Sequence, residues 1–152
     1  MPSLAKNKRA FFDYEILDKW EAGLVLSGPE VKSAKAGQIN LKGSFVSIVD
    51  EKPMLINCHI AAYQSAKDSQ KDYDPTRTRK LLLNKKEIGS LIGKTGQKGL
   101  TLLPLAVYTK KGLVKVEIGL GRGKRKQDKR ETLKKRATDR EIRRALRGKT
   151  SP

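Results

Sequence analysis

The sequence predicts a mainly β fold, a small antiparallel barrel with peripheral α-helices, followed by a basic C-terminal tail. The first observation is a series of short apolar segments separated by turn residues, typical of small closed β structures. The second is that helical spacing with capping residues occurs at only two places. The third is the charge: residues 119–152 hold 14 Lys and Arg against 4 Asp and Glu, over half of the net +18.

Six segments have the composition and alternation of strands. "FFDYEIL" and then "EAGLVLS" open the sheet, "SFVSIVD" and "MLINCHIAAY" pair around "EKP", and "LTLLPLAVYT" and "GLVKVEIGL" pair around "KKG". In the last segment Val114, Val116, Ile118 and Leu120 alternate with Lys115, Glu117 and Gly119. That period of two predicts a strand with one wet face. For so basic a chain, an oligonucleotide-binding (OB) barrel is the natural candidate.

The first helix is predicted within "SGPEVKSAKAG". Pro29 suits a first helical position, Val31 and Ala34 face inward, and Gly37 ends the helix.

The second helix is predicted over residues 84–95. Asn84 caps it, Glu87 completes a capping box, and an apolar stripe runs along Ile88, Leu91 and Ile92. Either Gly96 or Gly99 would supply the left-handed residue at its end.

The stretch "GSLIGKTGQKG", residues 89–99, resembles two phosphate-binding loops. A P-loop needs four residues between its first glycine and the Gly-Lys-Thr triplet, and here there are three. A KH loop is followed by a helix, whereas "LTLLPLAVY" predicts a strand. The end of a helix is the favoured interpretation.

The composition restricts the chemistry. Cys58 is the single cysteine and His59 the single histidine, so neither a disulfide within the chain nor a typical zinc site is expected. As neighbours in a strand they point to opposite faces and cannot form a nucleophile–base pair. Asp13 and Glu15 on one strand face could hold a metal, but a solvated face is favoured. We expect no enzyme activity, no metal and no cofactor.

The N-terminal segment lacks the apolar core of a signal peptide, and no apolar run is long enough to span a bilayer. We therefore expect a cytoplasmic protein.

A net charge of +18 predicts a polyanionic partner, and nucleic acid is the commonest. Three basic runs could neutralise phosphates, "NKRA" at 7–10, "RTRK" at 77–80 and "GRGKRKQDKR" at 121–130, although any one run could be a solvated face. Nearby aromatic residues could stack on bases or pack in the core: Phe11, Phe12, Tyr14 and Trp20.

The division of the chain follows its charge. Residues 1–122 are expected to form the barrel. Residues 123–152 hold few large apolar side chains, so we expect a tail that is disordered when free.

The stretches "NKRA", "EAGLVLSGPEVKSAKAGQINL", "DPTRTRKLLLNKKEI", "IGKTGQKGLTLLPL" and "VKVEIGLGRGKRKQDKRET" together closely resemble the bacterial SsrA-binding protein (small protein B) family. The resemblance is collinear over roughly residues 7–146. It implies an OB-like barrel that binds the tRNA-like domain of transfer-messenger RNA (tmRNA). It further implies delivery with elongation factor Tu to stalled ribosomes, where the nascent peptide is tagged. A general basic RNA-binding or ribosome-associated protein is the alternative.

The resemblance also implies site residues. For RNA binding it implies Asn7, Glu21 and Leu82, and the predicted RNA-binding set adds the cations Lys8, Arg9, Lys32, Arg77, Arg79 and Lys80. For the decoding region and mRNA channel of the small ribosomal subunit it implies Gly123, Lys124, Asp128, Lys129 and Arg130, and the predicted tail set adds Arg125. Helix-forming residues from Asp128 to Leu146 predict that the tail becomes helical on the ribosome. Two departures from the family pattern are Phe11 and Phe12, where a basic residue and His are common, and Gln127, where His or Tyr is common.

Overall fold

The structure is a computed structural model that describes residues 3–63, 72–97 and 99–124. The strands are β1 Ser3–Lys6, β2 Tyr14–Leu24, β3 Ile39–Asn40, β4 Phe45–Val49, β5 Lys52–Ile56, β6 His59–Ile60, β7 Arg79–Leu82, β8 Leu100–Lys110 and β9 Leu113–Gly123. The helices are α1 Lys8–Asp13, α2 Gly28–Lys35 and α3 Lys85–Thr95.

The strands pair in a closed cycle. β8 pairs with β4, β4 with β5, β5 with β7, β7 with β2 and β2 with β9, and β9 returns to β8, all antiparallel. β1 also pairs with β8, and β3 and β6 form a separate two-stranded ladder. The predicted mainly antiparallel fold with few helices is confirmed, and a closed cycle of pairings is what an OB-like barrel requires.

Both predicted hairpins are confirmed, with two changes to the first. Its turn lies one residue earlier than "EKP", because Lys52 and Pro53 belong to β5. The turn between β4 and β5 consists of Asp50 and Glu51, with φ values of 50° and 63°. Positive φ at both central residues matches the twist of the flanking strands. The second strand ends sooner than "MLINCHIAAY" predicted, because Asn57 at φ 61° interrupts it and β6 then pairs with β3.

The core consists mainly of the inward residues of the strands, and Ala34 of α2 and Leu91 of α3 pack with them. The four apolar residues of the predicted alternation in β9 are all buried: Val114, Val116, Ile118 and Leu120. Cys58 is buried and His59 is exposed, so their predicted separation onto opposite faces is confirmed.

Both predicted helices begin as expected. Ser27 and Glu30 form a capping box at α2, and Asn84 and Glu87 form one at α3. Such boxes satisfy N–H groups that the first helical turn leaves without a partner. The end of α2 is also confirmed, since Gly37 has a φ of 81°.

The apolar stripe of α3 is narrower than predicted. Leu91 is fully buried, whereas Ile92 is 42% exposed. Successive helical residues lie about 100° apart, so the residue after a buried one turns towards solvent. Gly99 rather than Gly96 has the left-handed conformation, with a φ of 85°, just before β8. Gly89 and Gly93 lie inside the helix, which is not the geometry of a P-loop.

The prediction of the opening strand, "FFDYEIL", was wrong in its first half. Phe11, Phe12 and Asp13 belong to α1, and the strand begins only at Tyr14. The side chain of Asn7 caps that helix, a local signal that overrides the β preference of the aromatic residues. The remainder of "FFDYEIL" and the first four residues of "EAGLVLS" form one continuous strand, which ends at Leu24.

Among the described residues, none of the helices combines the length and apolar character needed to cross a membrane.

Candidate nucleic-acid interface

A single exposed surface carries several of the predicted residues. We call it the β2 face, and it comprises the outward side chains Glu21, Leu82, Tyr108 and Glu117 on β2, β7, β8 and β9. The ladder places Glu21 opposite Glu117, and Gly23 opposite Leu82. Leu82 is 63% exposed beside Gly23, where a Cβ would lie 3.3 Å from the Cβ of Leu82. Lys80 points the same way, because it alternates with buried neighbours along β7.

Glu21 is held as a carboxylate on this face. The Tyr108 hydroxyl donates a hydrogen bond to it, and the Lys110 ammonium lies 3.3 Å from its Oε1. The hydrogen bond from Tyr108, followed by those from the lysine, lowers the pKa of Glu21 against the opposing effect of burial. Burial and the same hydrogen bond raise the pKa of Tyr108. Glu21 is therefore ionised at neutral pH and offers acceptors, not donors.

The N-terminal basic run divides into surface and buried residues. Lys8 and Arg9 are exposed on α1, and the Arg9 guanidinium bonds to Asp13 at 2.9 Å. Asn7 is only 8% exposed: its Nδ2 donates to the Pro104 carbonyl at 2.9 Å, and its Oδ1 accepts from the Ala10 N–H. The structure thus gives Asn7 the role of fixing α1 against β8, and direct contact of its amide with RNA stays a prediction.

Arg79 is buried, so the prediction that its side chain contacts phosphates is wrong. Its guanidinium is 0% exposed and bonds to the Glu30 carboxylate at 2.7–2.8 Å, and to the Tyr73 hydroxyl and Pro75 carbonyl at 2.9 Å. The reason is the alternation of β7, which turns Arg79 and Leu81 inward and their neighbours outward.

Arg77 is partly exposed but pairs with the same carboxylate. Burial alone would raise the pKa of Glu30; hydrogen bonds from Arg77, the Ser27 backbone and Arg79 outweigh it and lower that pKa to about 2. We call Glu30, Tyr73, Arg77 and Arg79 the buried ion cluster. It joins the N-terminus of α2 to the segment leading into β7 and so fixes the strand that carries Lys80 and Leu82.

Lys32 belongs to a different element. It is exposed on α2, with its ammonium 5.6 Å from the centre of the Tyr63 ring. The structure therefore brings Glu21, Lys80 and Leu82 onto the β2 face, and it leaves Lys32 on a helix outside it.

Gly123 and Lys124, which the predicted boundary at residue 122 assigns to the tail, are bonded to the body of the protein. Gly123 is the last residue of β9 and pairs with Tyr14. Lys124 donates its N–H to the Asp13 carbonyl at 2.9 Å and its ammonium to the Phe11 carbonyl at 3.1 Å. The other tail residues of the prediction, Arg125, Asp128, Lys129 and Arg130, lie outside the described residues.

The two acidic residues considered for a metal do not share a strand face, because they belong to different elements. Asp13 ends α1, whereas Glu15 on β2 bonds to Arg122 at 2.6 Å. Within residues 3–63, 72–97 and 99–124, no group of three or more His, Cys, Asp or Glu is arranged to hold a metal ion.

Comparison with known proteins identifies the family. The SmpB protein family model matches residues 4–148. The SsrA-binding protein of Sulfurihydrogenibium sp. (strain YO3AOP1) is 54% identical over 146 residues, covering 96% of this chain and 95% of the relative.

The chain belongs to the SmpB family.

Other matches agree with that membership. The SsrA-binding protein of Halalkalibacterium halodurans is 50% identical over 146 residues, covering 96% of this chain and 94% of the relative. A chain from the solved structure described as "tmRNA-SmpB: a journey to the center of the bacterial ribosome" is 48% identical, with a TM-score of 0.66 over 84% of this chain and 92% of that one. The match to the SmpB family is therefore one of nearly whole chains in both sequence and fold.

Proposed function

We propose that the protein binds the tRNA-like domain of tmRNA and delivers it to stalled ribosomes, where trans-translation rescues the ribosome and tags the nascent peptide. The observation that carries the proposal is the match of residues 4–148 to the SmpB family, with SsrA-binding proteins about half identical over nearly their whole length. The solved relative, described with tmRNA and the ribosome, supports the same partners. In this role the protein is a binding factor and not an enzyme, and it acts in the cytoplasm.

The described surface supports RNA binding by a rigid body. Lys8, Arg9 and Lys80 present cations for phosphates on elements fixed by the barrel. Glu21 has ionised acceptors for a base edge, and Leu82 offers an apolar contact to a base or sugar. Folded RNA is recognised largely by shape, and a closed barrel supplies a surface that does not change on binding.

The tail has a separate role in the proposal. Gly123 and Lys124 are fixed against α1 and β2, so the chain beyond them starts from a defined point on the barrel. We assign Arg125, Asp128, Lys129 and Arg130 to contacts in the decoding region and mRNA channel of the small subunit. Elongation factor Tu would accompany the complex, since the tRNA-like domain must be delivered as an aminoacyl-tRNA is.

The test is a competition assay with labelled tRNA-like domain and the full-length protein. Binding should survive an excess of tRNA and of unstructured mRNA. The logarithm of the association constant should fall with the logarithm of the salt concentration at a slope of about −4.5 if about 5 phosphates are neutralised. Equal competition by all three RNAs would instead indicate the general basic RNA-binding protein. A slope near zero would contradict phosphate contacts altogether.

A further inference from the structure

A groove of about 550 Å³ lies at one end of the β2 face, where α1 approaches β1, β8, β9 and β2. Its lining includes Lys6, Phe11, Glu21, Tyr108 and Glu117. It thus joins an aromatic ring, a fixed phenol and two carboxylates beside one lysine. Of these, the sequence resemblance points only to Glu21.

The two carboxylates are unusual for a surface that binds a polyanion. Glu21 and Glu117 are direct partners in the β2–β9 ladder, so their side chains leave the sheet on the same face. Like charges directly opposite each other on neighbouring strands destabilise a sheet. They also repel phosphates, in a chain of net charge +18. Lys6, Lys19 and Lys110 lie beside these carboxylates, so the groove has mixed charge, and its acceptor oxygens favour a ligand that offers hydrogen-bond donors.

Glu21 and Glu117 differ in the hydrogen bonds that their carboxylates accept from the protein. Glu21 accepts from Tyr108 and Lys110. Among the described residues Glu117 accepts no hydrogen bond, and its ion pair with Lys19 spans 3.7 Å. Glu117 lines the groove and thus has acceptor capacity to spare.

The ring of Phe11 supplies a stacking surface. It is 39% exposed on α1, although the Lys19 ammonium lies 5.9 Å from its centre. Unpaired bases stack on such rings whatever their identity, because every base has a π-face. Stacking on Phe11 would bring the edge of a base towards the carboxylates that line the same groove.

Only one of the four common bases has two adjacent hydrogen-bond donors, which the two oxygens of a carboxylate can accept together. Guanine presents N1–H and the 2-amino group side by side on its Watson–Crick edge. Adenine and cytosine place a ring-nitrogen acceptor next to their amino group, and that lone pair would face a carboxylate oxygen. Uracil presents one donor between two carbonyl oxygens. Recognition of unpaired bases on this edge is the usual basis of sequence-specific RNA binding.

We propose that the groove binds one unpaired guanine of the RNA, stacked on Phe11 and bonded through its N1–H and 2-amino group to Glu117. Glu21, held by Tyr108, lies opposite Glu117 on the side of the groove that faces the base edge, and Lys6 contacts the backbone of that nucleotide. The inference rests on the proposed function, because it presumes that the RNA is bound at the β2 face.

The experiment combines a base change with a protein change. Each unpaired guanine of the tRNA-like domain is replaced in turn by inosine, which lacks only the 2-amino group, and the Kd is measured with wild type, Glu117→Gln and Glu15→Gln. At one position inosine should weaken wild-type binding about tenfold, the value of one charge-assisted hydrogen bond. With Glu117→Gln the same replacement should change the Kd less than twofold. Glu15→Gln makes the same charge change at an exposed site on β2 outside the groove and should keep the full inosine effect.

Two results would overturn the inference without touching the proposed function. One is wild-type binding that no inosine replacement weakens; the other is an inosine effect that stays tenfold in Glu117→Gln. Failure of the wild-type protein to bind the unmodified RNA would instead refute the proposed function. A further variant, Phe11→Leu, keeps the site apolar and should weaken binding of guanine and inosine RNAs alike, with its melting temperature showing that the fold is intact.

Discussion

Replacing Glu30 by glutamine tests whether the buried ion cluster holds the fold around β7. Glutamine keeps the size of the side chain and can still complete the capping box with Ser27. What it removes is the negative charge opposite Arg79, which is 0% exposed, and Arg77. The variant therefore leaves a buried guanidinium without its counter-charge.

Two independent routes give similar magnitudes for this loss. Breaking a buried ion pair from one side typically costs about 3–5 kcal/mol, because the remaining charge is uncompensated. The pKa of Glu30 falls from 4.5 to about 2 on folding, and a shift of that size corresponds to about 3 kcal/mol. We expect Glu30→Gln to lower the free energy of unfolding by about 3 kcal/mol, which for a chain of this length lowers Tm by roughly 6–12 °C.

The assay is urea unfolding of the full chain at several pH values, with Glu87→Gln as the matched control. Glu87 occupies the same capping-box position in α3, and its hydrogen bonds among the described residues are to Asn84, not to the buried ion cluster. Its replacement should change the free energy of unfolding by less than about 0.5 kcal/mol.

The pH dependence follows from the direction of the shift. A carboxyl group whose pKa is lowered on folding contributes stability above its unfolded pKa and loses it as the pH falls towards the folded pKa. The difference between wild type and Glu30→Gln should thus be constant above about pH 5 and shrink from about pH 4.5 towards pH 2. A difference below about 1 kcal/mol at neutral pH, or one unchanged down to pH 2.5, would refute the reasoning.

Three further predictions concern packing, RNA binding and thiol chemistry. Gly119→Ala should destabilise the protein by about 1–3 kcal/mol in urea unfolding, because the added Cβ would lie 2.6 Å from Leu105 Cδ1. The control Gly89→Ala should not destabilise the protein, because a Cβ at that position in α3 meets open space. Equal effects of the two variants would contradict this account. Glu21→Gln should weaken binding of the tRNA-like domain with little change in Tm, and wild-type affinity would remove that residue from the site. Cys58 is fully buried, and burial raises the pKa of its thiol to about 11, so a thiol reagent should label it only as the protein unfolds; rapid labelling of native protein would show otherwise.

Local signals in the sequence were sufficient where the structure depends on neighbouring residues. The capping boxes that begin α2 and α3 need only residues three positions apart, and the hairpin of β8 and β9 needs only alternation and the turn at Gly112. Each of these could be predicted because the chain itself supplies both partners within a few residues.

The burial of Arg79 and Asn7 depends on partners far along the chain. Arg79 looked like part of a basic run, but its carboxylate partner Glu30 is 49 positions away. Asn7 bonds to a carbonyl 97 positions away. The signal that was available is the apolar Leu81 two residues after Arg79, which marks the inward face of a strand. The same alternation in β9 marks Glu117 as outward, but its position opposite Glu21 required the ladder.

The division of labour between barrel and tail is tested most directly with one truncated protein, residues 1–124, which ends at the last described residue of the barrel. Two quantities are measured beside the full chain: the Kd for the isolated tRNA-like domain, and peptide tagging on ribosomes stalled on a truncated mRNA with tmRNA. We predict that binding stays within roughly tenfold of the full chain, the loss expected from some non-specific charge contacts, while tagging is abolished. Retained tagging, or loss of RNA binding together with tagging, would contradict the account.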